Sequence, residues 1–170
     1  MAVVKMFKFN LKGIHYTRFD TAAKEAVARY QNHTYRYTRD LIKDLKKDGY
    51  FLLAISLSPK GILDKFCAGL GFNKVYGTLY ELGPNDCFTG EIIDEHLIRN
   101  KANIVKRAAE KEKLSLTGSF AVGDTEGDIP MLESVENPIC FNPNMKLYKH
   151  AKRNGWKVVV ERKDVIYELS

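Results

Sequence analysis

Two carboxylates stand four residues apart in segment 123–128, directly after a short stretch of strand type. The side chains of Asp124 and Asp128 offer the oxygen ligands that Mg²⁺ prefers, and the ion keeps several waters in such sites. Gly123 and Gly127 permit the tight backbone that a metal-binding loop needs. A second interpretation also fits, in which Asp124 caps a helix and the acids complement its dipole. The pattern by itself leaves both interpretations open.

Two further positions are candidates for binding a phosphate group. Ser56 ends an apolar run and is followed by Leu57, and a hydroxyl with backbone N–H groups at a strand-to-helix turn forms a phosphate cradle. Lys101 heads a predicted helix, and an ammonium there can neutralise phosphoryl charge. Each residue also has a structural interpretation, since a serine at such a turn commonly caps a helix and a lysine on a helix commonly faces solvent.

The elements that must position these residues alternate between helix and strand. Amphipathic stretches that stop at Gly49 and Gly71 predict helices, and the apolar run before Ser56 predicts a strand buried on both faces. This alternation predicts an α/β fold with a mostly parallel sheet and right-handed crossovers, and ligands bind at the carboxyl ends of such strands. The predicted helices are 21–30, 37–48, 60–70, 100–113, 129–134 and 145–154, and the predicted strands are 50–56, 75–81, 119–123, 138–141 and 156–160.

The composition is that of a globular protein and excludes several classes. The chain has 170 residues, a net charge of +6, 45% hydrophobic residues and 11% aromatic residues, which excludes disordered and collagen-like chains. Its longest apolar run is far shorter than the ~20 residues of a membrane span, and lysines near its start argue against a signal peptide. No basic stripe is interleaved with aromatic residues, so we expect neither a nucleic-acid nor a membrane partner. Three widely spaced cysteines, Cys67, Cys87 and Cys140, predict inert thiols in a reduced, cytoplasmic protein.

The order of these motifs resembles that of the haloacid dehalogenase-like hydrolases, in their phosphoserine phosphatase-like branch. The run FLLAISLSP around Ser56 is similar to the second motif of that family, Lys101 with its preceding Asn to the third, and VGDTEGDIPMLE around Asp124 to the fourth. Two more stretches resemble that branch, FTGE at 88–91 and the segment 137–156.

This resemblance implies the architecture of the chain. The family fold is a Rossmann-like three-layer α/β sandwich with a mostly parallel sheet. Residues 1–38 would be a partial helical cap segment, and residues 39–170 would be the α/β core without its first strand.

The resemblance also implies roles for individual residues. Asp124 would ligate Mg²⁺ directly, and Asp128 would hold the ion through water or orient a ligand. Lys101 and Ser56 would be catalytic, Lys101 by neutralising phosphoryl and carboxylate charge and Ser56, with Leu57, by binding the phosphoryl oxygens. Phosphoryl transfer requires such positioned cations and donors. The implied activity is Mg²⁺-dependent hydrolysis of a phosphorylated small molecule through an aspartyl-phosphate.

One motif of the family is missing from this chain. The family nucleophile is the first Asp of an Asp-x-Asp motif, and no Asp here is followed by another Asp two positions on. Asp20 is a poor substitute, because it follows no buried strand and is predicted to open a helix. We therefore expect the chain to be inactive alone. Three explanations stay open: a truncated form of an enzyme, one of two chains whose partner supplies the missing strand, or a non-catalytic module that binds a phosphorylated ligand or a protein.

The missing strand has a consequence for the strands that would flank it. The strands ending at Ser56 and Gly123 are each predicted to have an unpaired edge, which favours self-association or pairing with a second chain. The stretch 3–9, VVKMFKF, mixes apolar residues with lysines and is predicted to form a strand that fills the gap, within one chain or between two.

Overall fold

The structure is a computed structural model and describes residues 2–169. Helices and strands alternate along these residues, so the predicted α/β class is confirmed. The helices are α1 (Ala2–Leu11), α2 (Tyr16–Tyr30), α3 (Arg36–Lys47), α4 (Lys60–Leu70), α5 (Glu95–Arg99), α6 (Lys101–Glu112), α7 (Ile129–Leu132) and α8 (Met145–Asn154). The strands are β1 (Leu53–Pro59), β2 (Lys74–Leu82), β3 (Phe88–Ile93), β4 (Phe120–Gly123), β5 (Asn137–Phe141), β6 (Lys157–Arg162) and β7 (Val165–Leu169).

The chain forms two compact units. The first comprises the residues up to Thr34 together with 42–99, and the second comprises residues 35–41 together with those from Asn100 onwards. The predicted division after residue 38 into a cap segment and a core stays a prediction. None of the helices within residues 2–169 has the length and apolar character needed to cross a membrane.

The first unit is built on a three-stranded sheet in the order β1-β2-β3. β1 and β2 are parallel and are connected through α4, whereas β3 runs antiparallel to β2. Helix α4 covers Lys60–Leu70 and ends at the left-handed Gly71, as predicted. It approaches β2 closely because Gly77 has no side chain: a Cβ there would lie 2.8 Å from the Cα of Lys60.

The second unit is a three-layer sandwich around a four-stranded sheet in the order β4-β5-β6-β7. The first three strands are parallel and β7 pairs antiparallel with β6. Side chains alternate between the two faces of a strand, so neighbouring residues of β5 enter different clusters. Cys140 packs with residues of α7, α8 and β6. Ile139 and Phe141 pack on the other face against Tyr37 and Leu41 of α3.

The predicted strand at residues 3–9 is wrong, because these residues lie in α1. Phe7 and Leu11 are four residues apart and therefore share one helix face. Leu11 is buried, and the ring of Phe7 packs edge-on against Tyr80 with centroids 5.6 Å apart. Packing of this helix face, including the contact of Phe7 with the distant Tyr80, therefore accounts for the helix. The segment fills no gap in a sheet as a strand.

Other differences from the sequence predictions have local causes. Helix α2 begins before Thr21 because His15 is its N-cap, with Nδ1 accepting a hydrogen bond from the Thr17 N–H. The strands form two sheets instead of the single sheet that was predicted. Strand β7 was not predicted, since its hairpin with β6 turns on Lys163 and Asp164, a pair that lacks the glycine typical of such turns.

Strands β1 and β4 each stand at the end of their own sheet among the described residues. This confirms the two unpaired edges that were predicted. Phe120 and Val122 of β4 each leave 37% of their surface exposed. Apolar residues on an uncovered edge are a common route to association between chains.

Candidate active site

The loop after β4 folds around the buried carboxylate of Asp128. Its Oδ2 accepts hydrogen bonds from the backbone N–H groups of Asp124 and Thr125, both at 3.1 Å, and from the Thr125 hydroxyl at 3.3 Å. Thr125 is the N-cap of the 3-10 turn Glu126–Asp128 and forms a capping box with Asp128. The loop conformation therefore depends on a negative charge at Asp128, which the loop N–H groups stabilise.

Lys101 is the ion-pair partner of Asp128. Its Nζ lies 2.5 Å from Oδ1 of Asp128, whose side chain is only 2% exposed. Burial alone would raise the pKa of Asp128, but hydrogen bonds from Lys101 and from the Thr125 N–H hold that pKa below its usual value. Asn100 caps helix α6 by accepting a hydrogen bond from the Asn103 N–H, so Lys101 occupies the first helical position. The solvent-facing interpretation of Lys101 is therefore wrong.

Gly123 is required here for space. A Cβ at this position would lie 2.6 Å from the Cβ of Asp128, closer than side chains approach. Neither Gly123 nor Gly127 has a positive φ, so the loop does not use the extra backbone freedom of glycine that the sequence interpretation invoked. At Gly127 an added Cβ would meet nothing closer than the Thr125 hydroxyl, 3.6 Å away.

Asp124 is exposed, and its carboxylate takes no part in the helix cap. Thr125 fills that role, so the interpretation of Asp124 as the cap is wrong. The Asp124 N–H donates to Asp128, and its carbonyl accepts a hydrogen bond of 2.9 Å from the Asn144 N–H. Desolvation by the surrounding loop, and then the charge of Asp128, raise the pKa of Asp124. A cation at this position would relieve that repulsion.

The acidic residues of the loop supply only part of the ligand shell of a Mg²⁺ ion. One carboxylate oxygen of Asp128 is occupied by Lys101 and the other by loop donors, which leaves Asp124 to act as a direct ligand. Within residues 2–169 no group of three or more His, Cys, Asp or Glu side chains is arranged to hold a metal. Mg²⁺ commonly binds one or two protein carboxylates and completes its shell with waters and phosphate oxygens. The donor set therefore suits such a shared site, and not an all-protein cage.

The predicted phosphate-binding residues Ser56 and Leu57 lie in the first unit, within β1. The strand runs on to Pro59, so the prediction that it ends at Ser56 is wrong. The register of β1 against β2 shifts between Ile55 and Pro59, so the backbone of these residues leaves the regular ladder. The Ser56 hydroxyl accepts a hydrogen bond of 3.1 Å from the Ser58 N–H and keeps its own proton to donate. Leu57 is fixed through its carbonyl, which accepts a hydrogen bond of 2.7 Å from the buried Thr78 hydroxyl.

The structure brings together three of the predicted residues, Lys101, Asp124 and Asp128, in the second unit. Sequence reasoning missed Glu126 and the groups that hold it. Asn144 and Lys146 both donate to the Glu126 carboxylate, and these two hydrogen bonds lower its pKa to about 2. Asn144 carried a sequence signal, since Asn before an amphipathic helix is a typical N-cap. No feature of the sequence indicates that Asn144 contacts Glu126, 18 residues away.

Asp20 has a structural role in the first unit. It lies within α2, and does not open it as predicted, and it forms ion pairs with Lys24 at 2.8 Å and Lys65 at 2.5 Å. Hydrogen bonds from these two lysines lower its pKa. A carboxylate engaged in this way links two helices, α2 and α4, and is poorly suited to act as a nucleophile.

Comparison with known protein families gives one match over most of the chain. The model of the haloacid dehalogenase-like hydrolase family matches residues 1–133. Among curated proteins, the chain is 30% identical over 125 residues to the inhibition of morphological differentiation protein of Streptomyces azureus, covering 74% of this chain and 45% of that protein. It is 30% identical over 122 residues to a phosphoserine phosphatase of Mycobacterium tuberculosis, covering 71% and 39%. It is 29% identical over 125 residues to the histidinol-phosphatase of Neisseria meningitidis, covering 71% and 56%.

These relatives are longer proteins, and the chain spans about half of their length or less. Solved structures give a consistent result. A protein of unknown function from Bordetella pertussis Tohama I superposes with a TM-score of 0.75 at 19% identity, over 91% of this chain and 71% of that one. A phosphoserine phosphatase in its apo form gives a TM-score of 0.61 at 26% identity, over 74% and 60%.

Proposed function

The chain belongs to the haloacid dehalogenase-like hydrolases, and from this premise we propose that it carries the phosphate- and magnesium-binding elements of a phosphomonoester hydrolase. The observation that supports this most strongly is the ion pair between Lys101 and the buried Asp128, beside the exposed and electrostatically destabilised carboxylate of Asp124. A buried pair of this kind is costly to maintain for stability alone, whereas phosphoryl transfer needs a fixed cation and a metal-binding carboxylate.

Each residue of the loop has a distinct part in this proposal. Asp124 would ligate Mg²⁺, and the ion when bound would neutralise charge on the phosphoryl oxygens. Asp128 would act indirectly, through water or by orienting the loop, because both of its oxygens already have protein donors. Lys101 would contribute positive charge toward the phosphoryl group while it stays anchored on Asp128.

In the first unit, Ser56 and Leu57 would bind phosphoryl oxygens. The Ser56 hydroxyl has a proton to donate, and the N–H of Leu57 lies where β1 leaves its regular pairing with β2. Helix α4 begins directly afterwards at Lys60, with no side-chain cap for its first turn. Backbone N–H groups left free at such a turn favour anions.

We further propose that the chain alone does not turn over a phosphate ester. The support is that the sequence contains no Asp-x-Asp and that Asp20 is engaged with two lysines. A second chain of different sequence, which contains Asp-x-Asp, would then supply the nucleophile on a strand that pairs with an open sheet edge. The same observations favour one alternative function, a non-catalytic module that binds a phosphorylated ligand or a protein partner.

The substrate class and compartment are also proposed. Two of the relatives are a phosphoserine phosphatase and a histidinol-phosphatase by name, which favours a phosphorylated small molecule. Three cysteines without disulfides, two of them buried, suit a reduced and therefore cytoplasmic setting.

Ligand titrations followed by backbone NMR test this proposal. We expect Mg²⁺ to shift the amide signals of residues 123–128, and Asp124→Asn to abolish the shifts while the exposed control Asp164→Asn keeps them. Inorganic phosphate should shift signals around Ser56 in the presence of Mg²⁺, and Ser56→Ala should weaken this response more than the neighbouring control Ser58→Ala. The proposed function would be contradicted if Mg²⁺ shifted no signals of residues 123–128 and phosphate shifted none around Ser56.

A further inference from the structure

We propose that Asn144 is a positioning residue, which fixes the Asp124 loop to helix α8 and so sets where the metal-binding carboxylate points. This inference rests on the proposed function for the metal, but its structural part can be tested without any ligand. Asn144 is the only residue within 2–169 for which contacts to Asp124, to Glu126 and to the first turn of α8 are all observed.

The side chain of Asn144 makes two hydrogen bonds of opposite polarity. Its Oδ1 accepts from the Leu147 N–H at 3.0 Å and caps α8. Its Nδ2 donates to Oε2 of Glu126, whose other oxygen accepts from Lys146 at 3.1 Å. An amide side chain makes both bonds at once through two separate atoms, because its oxygen accepts and its nitrogen donates. A serine or an aspartate would serve equally well as a cap, so capping alone does not explain the choice of Asn.

The backbone of Asn144 completes the attachment. Its N–H donates to the Asp124 carbonyl at 2.9 Å, while the Asp124 N–H donates to the buried Asp128. Both peptide groups that flank the Asp124 Cα are therefore held, one by Asp128 and one by α8. Helix α8 is itself rigidly placed, because Leu147 and Ala151 are fully buried in the core.

This attachment has a functional meaning because Asp124 itself is exposed. A surface carboxylate is normally free to sample several directions, and metal affinity depends on how well a ligand is held by the groups around it. The hydrogen bonds from Asn144 and Lys146 to Glu126, one residue beyond Thr125, give the loop a second point of attachment besides Asp128. Both carboxylate oxygens of Glu126 are taken by Asn144 and Lys146, so Glu126 attaches the loop and does not serve as a metal ligand.

Asn144→Asp separates the two roles of the side chain. An aspartate still accepts from the Leu147 N–H, so α8 keeps its cap, but it repels Glu126 instead of donating to it. Adding Glu126→Gln to this variant restores a hydrogen bond with reversed polarity, because the glutamine amide can donate to the new carboxylate. Lys149→Gln, an exposed change on α8 with the same change in net charge, is the matched control.

We would measure the loop without ligand by heteronuclear NOE at residues 124–127, and then titrate each protein with Mg²⁺ alone. In Asn144→Asp we expect lower NOE values in the loop and an apparent Mg²⁺ affinity about tenfold weaker, the usual effect of losing a residue that orients a ligand. The double variant should recover both properties, and Lys149→Gln should match the wild type.

Unchanged loop order in Asn144→Asp, or a double variant as mobile as the single one, would overturn the inference. The added negative charge of the single variant would by itself strengthen cation binding, so weaker binding cannot arise from net charge. If the wild-type chain bound no Mg²⁺, the proposed function would fail, and the NOE comparison alone would still decide whether Asn144 positions the loop.

Discussion

Replacing Lys101 with methionine removes the ammonium that neutralises Asp128 and keeps a side chain of similar length. Asp128 is 2% exposed and the Lys101 side chain 20% exposed, with 2.5 Å between Nζ and Oδ1. The variant therefore leaves a carboxylate in a site that water barely reaches. We expect the second unit to lose stability as a direct result.

The size of the loss follows from burial and from the donors that remain. Removing one partner of a buried ion pair costs about 3–5 kcal/mol. Asp128 keeps two backbone N–H groups and one hydroxyl as donors, and Lys101 is partly hydrated, so we expect a loss near the lower end, about 3 kcal/mol. Adding Asp128→Asn removes the unpaired charge. The effects of the two substitutions on the free energy of unfolding should therefore be non-additive by about 2 kcal/mol.

The loss should depend on pH with a definite sign. The folded state holds the pKa of Asp128 below its ordinary value of 3.8, so the stabilisation is present above that value and disappears as the pH falls through the lower, folded pKa. Without Lys101, burial dominates and the pKa of Asp128 rises. The gap between wild type and variant should therefore be full above the raised pKa of the variant, begin to shrink as the pH falls through that value, and close below the lowered pKa of the wild type.

Urea denaturation followed by tryptophan fluorescence measures this change. Trp156 is the single tryptophan and packs against the core of the second unit, so its signal reports on that unit. The control is Lys106→Met on the exposed face of α6, which should stay within about 0.5 kcal/mol of wild type. The reasoning would be refuted if Lys101→Met lost less than about 1 kcal/mol and its effect were simply additive with that of Asp128→Asn. The ion pair of Lys101 and Asp128 would then contribute little to stability.

The remaining predictions concern packing and thiol chemistry. Gly123→Ala should lower the free energy of unfolding by about 1–3 kcal/mol through overpacking. Gly127→Ala should change it little, because the added Cβ would make only an ordinary contact, 3.6 Å from the Thr125 hydroxyl; equal effects in urea denaturation would contradict this. A thiol reagent at pH 8 should modify Cys87 alone in the native protein, because Cys67 and Cys140 are buried and burial raises the pKa of Cys140 to about 11. Rapid native modification of Cys140, detected by peptide mass spectrometry, would be inconsistent with its packing.

Local sequence patterns were sufficient wherever an element carries its own start and stop signals. The helices Lys60–Leu70 and Met145–Asn154 were predicted with these bounds, since Gly71 and Gly155 follow them in the left-handed conformation that glycine favours. The strand before Asp124, predicted at 119–123 and found at Phe120–Gly123, was likewise a local feature. In these cases the information lies within a few residues of the element.

Features that depend on distant partners could not be predicted. The helical fold of residues 3–9 is decided by packing of Phe7 on Tyr80, and the register shift after Ile55 depends on pairing with β2. The attachment of Glu126 to Asn144 joins two loops that follow different strands. A single sequence gives the order of residue types but does not show which distant side chains come into contact. Each of these features depends on such a contact.

The most direct test is turnover of p-nitrophenyl phosphate in the presence of Mg²⁺, with the purified chain alone and with an added strand-length peptide that contains Asp-x-Asp. We expect no Mg²⁺-dependent hydrolysis by the chain alone and a gain of activity with the peptide, lost again in Asp124→Ala. A peptide with Asn-x-Asn in place of Asp-x-Asp is the matched control. Robust hydrolysis by the chain alone, abolished by Asp124→Ala, would contradict the proposal that its nucleophile comes from elsewhere.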